Sequence, residues 1–182
     1  MKIVIILITL FNFGLLILLF IEIKWLSKWK LPFYKKGLTI FNKHIFNIRY
    51  NYNIDIDKLN NEFSKGIWTS IEFKQLSENE FGFREKPIPN TLTYYLPIMR
   101  CLITNNSYLK TISFKGIINW GIGIWIIASI NSMIMLYYEN MLSFPFFLLF
   151  PFFIFILFMC YIIQYKRYNK VVEAIDKMIN QG

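Results

Sequence analysis

Few side chains in this chain have the types and spacing that chemistry needs. It holds a single histidine, His44, which excludes a His-based acid/base pair and a multi-His metal site. Cys101 falls in an expected strand and Cys160 in an apolar run. Two isolated cysteines make no zinc site, and on the cytoplasmic side they make no disulfide framework. Asp55 and Asp57 are used structurally at the start of an expected helix. Glu72, Glu78, Glu80 and Glu85 occupy alternating or turn positions and read as a solvated face. No Gly-rich phosphate loop, nucleophile elbow or metal-spaced motif is present. Asn105-Asn106-Ser107 has glycosylation-acceptor spacing, which means nothing on the cytoplasmic side. The expectation is therefore a non-enzyme with no cofactor and no metal.

One segment is more organised than composition requires. Phe73–Lys86 reads as strand, tight polar turn and strand, with Lys74, Glu78, Glu80, Arg84 and Glu85 among its charges. It is either an exposed docking hairpin or a sheet edge kept from aggregating by charge. The net charge of +9 invites a nucleic-acid reading. Single-strand binding needs aromatics interleaved along a basic groove, and Arg49, Tyr50, Tyr52 and Trp68 are only a faint version. No nucleic-acid partner is expected.

The elements that would position these residues are set by three apolar runs, Ile3–Ile21, Ile117–Tyr138 and Phe144–Ile163. Each is about 20 residues, enough for a helix to cross a hydrocarbon core of roughly 30 Å. The composition agrees: 55% of the 182 residues are hydrophobic and 19% aromatic. Basic residues flank the runs on one side: Lys24, Lys28, Lys30, Lys35 and Lys36 after the first, Lys110 and Lys115 before the second, Lys166, Arg167 and Lys170 after the third. The link Glu139–Ser143 has none. The positive-inside rule then puts the amino terminus outside, with the middle segment and carboxy terminus in the cytoplasm; Lys2 is the one mild objection. The first run is too long, and lacks a small-residue site after it, to read as a cleaved signal peptide. No Asp, Glu, Lys or Arg lies inside any run as bounded here, which argues against an ion-coupled transporter.

The segment 24–36 reads as an interfacial collar. Trp25 and Trp29 are spaced to share a helical face at headgroup level, Lys24, Lys28, Lys30, Lys35 and Lys36 face the anionic leaflet, and Pro32 ends the helix. In the second run, Gly121, Ala128, Asn131 and Ser132 lie close to one helical stripe. They serve either packing against the other runs or an oligomeric contact. The phenylalanine-rich third run argues against a water-filled pore, and Pro151 should kink it. The Ile, Asn, Lys and Phe bias points to AT-rich coding, hence a bacterium.

The middle segment reads as strand-rich. Leu38–Phe41 and His44–Tyr50 form an expected hairpin about Asn42–Lys43, and Ile56–Lys65 a helix capped by Asp55 and stopped by Gly66. Ile67–Leu76 alternates as a strand, Phe81 and Phe83 continue it beyond a turn at Ser77–Asn79, and Pro87 and Pro89 break it. Ile98–Thr104 and Tyr108–Phe114 pair about Asn105–Asn106. The total is about six short, mostly antiparallel strands. Val171, Val172, Ile175, Met178 and Ile179 give the tail an apolar stripe with three possible seats: the membrane, the middle domain or a partner helix.

The expected fold is a membrane α+β chain: three transmembrane helices with a small, mostly antiparallel β-rich cytoplasmic domain, plus one short helix, between helices 1 and 2. Its parts are helix 1 (1–23), the collar (24–36), the strand-rich domain (37–116), helix 2 (117–138), an outer loop (139–143), helix 3 (144–163) and an amphipathic tail (164–182). The expected function is a non-enzymatic accessory or scaffold subunit of the inner membrane, in contact with the lipid bilayer and within a homo-oligomer or larger membrane complex. The alternatives are a membrane-surface sensor whose β domain binds a lipid headgroup or small ligand, and a lipid-acting enzyme for which no nucleophile or acid pair is found.

Overall fold

A computed structural model describes residues 2–46, 54–64, 70–86, 98–106, 108–138 and 144–181. The elements in order are α1 (Lys2–Ser27), α2 (Leu31–Lys35), β1 (Thr39–Ile45), α3 (Ile56–Ser64), β2 (Ile71–Ser77), β3 (Glu80–Glu85), β4 (Met99–Asn106), β5 (Thr111–Ile118), α4 (Trp120–Tyr138) and α5 (Phe144–Gln181). The strands form one antiparallel sheet in the order β1-β5-β4-β3-β2.

Alternation builds the sheet's main face. Phe73, Phe83, Cys101 and Phe114 point one way with their cross-strand neighbours and are buried. Leu59 of α3 covers part of this face, and Tyr168, Val171, Ile175 and Ile179 of α5 cover the rest. That i, i+3, i+7, i+11 spacing places all four on one helical stripe. Each fully buried side chain of this size contributes about 1.5–3 kcal/mol. The middle segment's core is therefore completed by the tail of the chain, one of the seats the sequence left open.

The opposite face is covered by the collar. Leu26, Phe33 and Tyr34 pack on Leu102 of β4. Gly82 makes this possible, because a Cβ there would lie 3.1 Å from the Tyr34 ring. A third cluster, Ile98, Ile122, Leu157 and Cys160, joins the start of β4 to α4 and α5.

This architecture corrects several expectations. The chain is not three transmembrane helices with an inserted domain. Among the described residues, one helix, Ile6–Ser27, is long and apolar enough to cross a membrane; the apolar stretch of α4 is shorter, Trp120–Met135. Part of the physical reason lies in packing, although Trp125, Ile130, Phe155 and Phe158 of the same runs stay exposed. The second and third runs contribute Ile122, Leu157 and Cys160 to the protein's own interior, and the third continues without a break into the helix that covers the sheet. Run length counts apolar residues without asking what they face. The first helix also extends past its expected end, so Glu22 and Lys24 fall inside the candidate span, against the expectation of a charge-free one.

The strands are five among the described residues, not six. There is no turn at Asn42–Lys43: β1 runs straight through and pairs with β5, with Asn42, Lys43 and His44 exposed on an edge strand. The β4–β5 turn lies beyond Asn105–Asn106, which both pair in the ladder. It sits at Tyr108–Lys110, where the Asn106 Oδ1 accepts from the Leu109 N–H at 3.1 Å and Lys110 adopts φ 49°. Pro32 starts α2 rather than ending α1, and α5 continues as a helix through Pro151. The Asp55 cap is present: its Oδ1 accepts from the Lys58 N–H at 3.0 Å. The expectations for Gly66, Trp68, Pro87, Pro89 and the Glu139–Ser143 link lie outside the described residues, as do Arg49, Tyr50 and Tyr52.

Candidate functional site

The collar is where α1 meets the sheet. Lys24, Lys28, Lys30, Lys35 and Lys36 are all exposed. Trp25 and Trp29 do not share a helical face, because α1 ends at Ser27 and Trp29 takes φ 52°. Trp25 packs against Phe33 and Trp120, with ring centroids 6.0 and 5.7 Å apart. Trp29 turns inward and stacks on Tyr34 at 5.6 Å.

Beneath the collar lies Arg100, 2% exposed, the sole charge in the apolar run of β4. Its Nε donates to the Phe33 carbonyl at 3.1 Å, and Nη2 donates to the Phe33 and Lys36 carbonyls at 2.8 and 3.0 Å. Nη1 donates to the Ile118 carbonyl and the Asn119 Oδ1 at 3.0 and 2.9 Å. These partners use the full donor fork of a guanidinium. The Phe33 ring lies 3.6 Å from its central carbon. Burial pushes this guanidinium down to about 10, opposed by the Glu22 carboxylate, so it stays charged at neutral pH. One side chain thus ties α2, the collar and the exit of β5 to the centre of the sheet.

Glu22 makes the second tie. Its carboxylate accepts from the backbone N–H groups of Trp120, at 2.7 Å, and Gly121, the first residues of α4. A carboxylate on a helix N-terminus satisfies orphan donors and complements the helix dipole. Gly121 is required here, since a Cβ would lie 2.9 Å from the Leu19 side chain and closer still to Glu22. Further along, the Asn131 amide donates to the Asn12 Oδ1 at 3.3 Å, so α4 runs antiparallel beside α1. Of the expected helix-contact stripe, Gly121 and Asn131 meet α1. Ala128 is partly exposed, and the exposed Ser132 donates to the Ala128 carbonyl within its own helix.

The charged hairpin divides in two. Lys74 and Glu78 are exposed, and Glu80 pairs with Lys35 of the collar at 2.7 Å. Arg84 and Glu85 are buried, because of the hairpin's two strands β2 is an edge and β3 is interior. Glu85 forms an ion pair with Arg167 of α5. Arg84 lies directly across from Arg100 in the β3–β4 ladder, 4.5 Å from the Trp29 ring, with the Glu72 carboxylate at 3.5 Å. Its Nε and Nη1, and the Tyr34 hydroxyl, have no hydrogen-bond partner among the described residues. Burial pushes the Tyr34 hydroxyl up, against the pull of both arginines.

On the other face, Gln164 is fully buried and accepts from the Ile98 and Met99 N–H groups at 2.9 and 3.0 Å while donating to the Met99 carbonyl at 3.0 Å. The Tyr168 hydroxyl donates to that carbonyl at 2.8 Å. Together they dock α5 on the start of β4.

A cavity of about 560 Å³ opens at the collar, walled by Trp25, Phe33 and Trp120 with Lys30, Lys36 and Arg100 on its lining. The expected chemistry-bearing residues stand elsewhere. His44 is exposed on β1, and Cys101 and Cys160 are buried and not joined in a disulfide. Burial pushes the Cys101 thiol up, away from the reactive thiolate. Among the described residues no group of three His, Cys, Asp or Glu is placed to hold a metal. The buried polar residues that organise the structure, Glu22, Arg100 and Gln164, were missed in the sequence. Their signal was there: each is a lone polar residue inside or at the end of an apolar run. No family model, curated protein or solved structure matches this chain.

Proposed function

We propose that this chain is a non-enzymatic accessory or scaffold subunit of the cell's inner membrane, anchored by α1 and presenting its sheet at the cytoplasmic face. The observation that carries this reading is the junction. The apolar, outward-facing α1 leads through five exposed lysines into the sheet; its Glu22 holds the first N–H groups of α4, and Arg100 of β4 holds the collar carbonyls of Phe33 and Lys36. Lysines at that end of a span favour the cytoplasmic side, which puts the amino terminus outside. On β2 and its turn, the exposed Lys74 and Glu78 offer charge to a protein partner, while Asn60 of α3 takes the Phe73 backbone N–H and carbonyl. A rigid, membrane-held surface suits a subunit that holds another chain in place.

The test is gentle detergent extraction of the full chain followed by mass spectrometry of co-purifying proteins. The expected result is one or a few partner chains at constant ratio. A clean monomer without partners contradicts the reading. A cytoplasm-active reporter fused at the carboxy terminus should work, and a periplasm-active one should fail there.

A further inference from the structure

We propose that the collar cavity seats an anionic phospholipid, with the phosphate held by Lys30 and Lys36 and the glycerol and first acyl carbons against Trp25, Phe33 and Trp120. The proposal rests on the membrane placement of α1 argued above, and adds a ligand and a site.

Charge complementarity carries it. The floor of the cavity is Arg100, whose donors all go to carbonyls and one amide, so no carboxylate bonds to its charge. Glu22, which acts on Arg100 through space, has its oxygens on the α4 N-terminus. Arg84 sits directly across the ladder from Arg100, and like charges at such positions repel. Two of its nitrogens have no hydrogen-bond partner among the described residues, and its one acid, Glu72, is shared with Lys86 at 3.5 Å. This face of the sheet carries a buried positive field that an anion at the cavity mouth would relieve. Lys30 and Lys36 stand exposed at that mouth.

The remaining features distinguish a lipid from a free anion. The volume of about 560 Å³ is that of a small-molecule site. Its walls are aromatic and mostly apolar, where a site for inorganic phosphate would be lined with donors. Tryptophans and lysines together favour the headgroup level of a bilayer. The cavity opens where the apolar surface of α1 ends: Phe20 is 70% and Ile23 42% exposed in the turns just before it. Acyl chains leaving the cavity have that surface to follow.

The experiment uses the full chain in nanodiscs of phosphatidylcholine doped with phosphatidylglycerol, and native mass spectrometry to count lipids retained on release. The wild type should retain the anionic lipid over the zwitterionic one by about thirtyfold, what two lysines supply near a membrane surface. Lys30→Glu with Lys36→Glu should abolish the preference, and Lys30→Gln with Lys36→Gln should remove most of it without reversing charge. Lys24→Glu with Lys28→Glu, equal in charge but outside the cavity, should leave it in place. Equal retention of both lipids by the wild type overturns the proposal. So does an equal loss in the 24/28 and 30/36 variants, which is generic surface attraction. Displacement of the lipid by millimolar inorganic phosphate would mean a free-anion site and also overturns it. Failure of the scaffold reading looks different: partner chains are absent while the lipid preference persists.

Discussion

The two faces of the sheet solve burial in opposite ways. The face toward α3 and α5 is mostly apolar, with Phe73, Phe83 and Phe114 meeting Tyr168, Val171 and Ile175, and its buried polar groups, Gln164 and the Glu85–Arg167 pair, lie where α5 docks. The face toward the collar buries Arg84 and Arg100 under Tyr34, Phe33 and Trp29. Apolar packing supplies most of the stability but little direction, since many arrangements of Leu, Ile and Phe fill a similar space. A guanidinium with every donor bonded accepts only one arrangement of its partners. The first face holds the domain together, and the second sets how the domain sits on its anchor.

That contrast can be broken from either side. Phe83→Ala should have the largest effect, about 3–5 kcal/mol, because Phe83 is fully buried between Phe73 and Tyr168. The loss would appear as a large fall in Tm in detergent. Arg100→Met should cost about 3 kcal/mol, since it leaves the Phe33, Lys36 and Ile118 carbonyls without their donor. Arg100→Lys should recover little of this, because an ammonium cannot span those acceptors. The sharper readout is proteolysis. Arg100→Met should expose the collar at Lys30–Lys36 to trypsin before the sheet itself opens, whereas Phe83→Ala should open both together.

Glu22→Gln should cost about 1 kcal/mol, the value of a charge on a helix N-terminus, and should loosen α4 while sparing the sheet. Amide exchange resolved along the chain separates the two. Lys74→Ala should change stability by no more than about 0.5 kcal/mol in chemical denaturation, since the side chain is exposed on the edge strand. A larger effect there would mean that the hairpin is part of the core.

Local features were legible in the sequence. Asp55 caps α3 through a bond to a residue three positions on, and the alternation read over Ile67–Leu76 and at Phe81 and Phe83 overlaps β2 and β3 on either side of their turn. The rest depends on distant partners. Asn42–Lys43 has turn-forming residue types, yet lies in an edge strand because β5 pairs with it from about 70 positions away. Arg100 in Met99-Arg100-Cys101 gives no local hint that its acceptors stand on α2, at the end of β5 and just beyond it. The third apolar run looked like a separate span, because nothing local shows that the same helix continues onto the sheet. Arg84 and Glu85 looked like surface charge, because the strand that makes β3 interior follows it in sequence.

Anchor and sheet form one body, joined at the collar through Glu22 and Arg100 rather than strung on tethers. Amide hydrogen exchange of the full chain in nanodiscs tests this most directly, at the N–H groups of Trp120 and Gly121, which Glu22 of α1 accepts. The account predicts protection close to that of Cys101 and Ile103 in central β4 for the wild type, and its selective loss in Glu22→Gln. Exchange at these two amides as fast as at exposed loop positions, with β4 still protected, would contradict it.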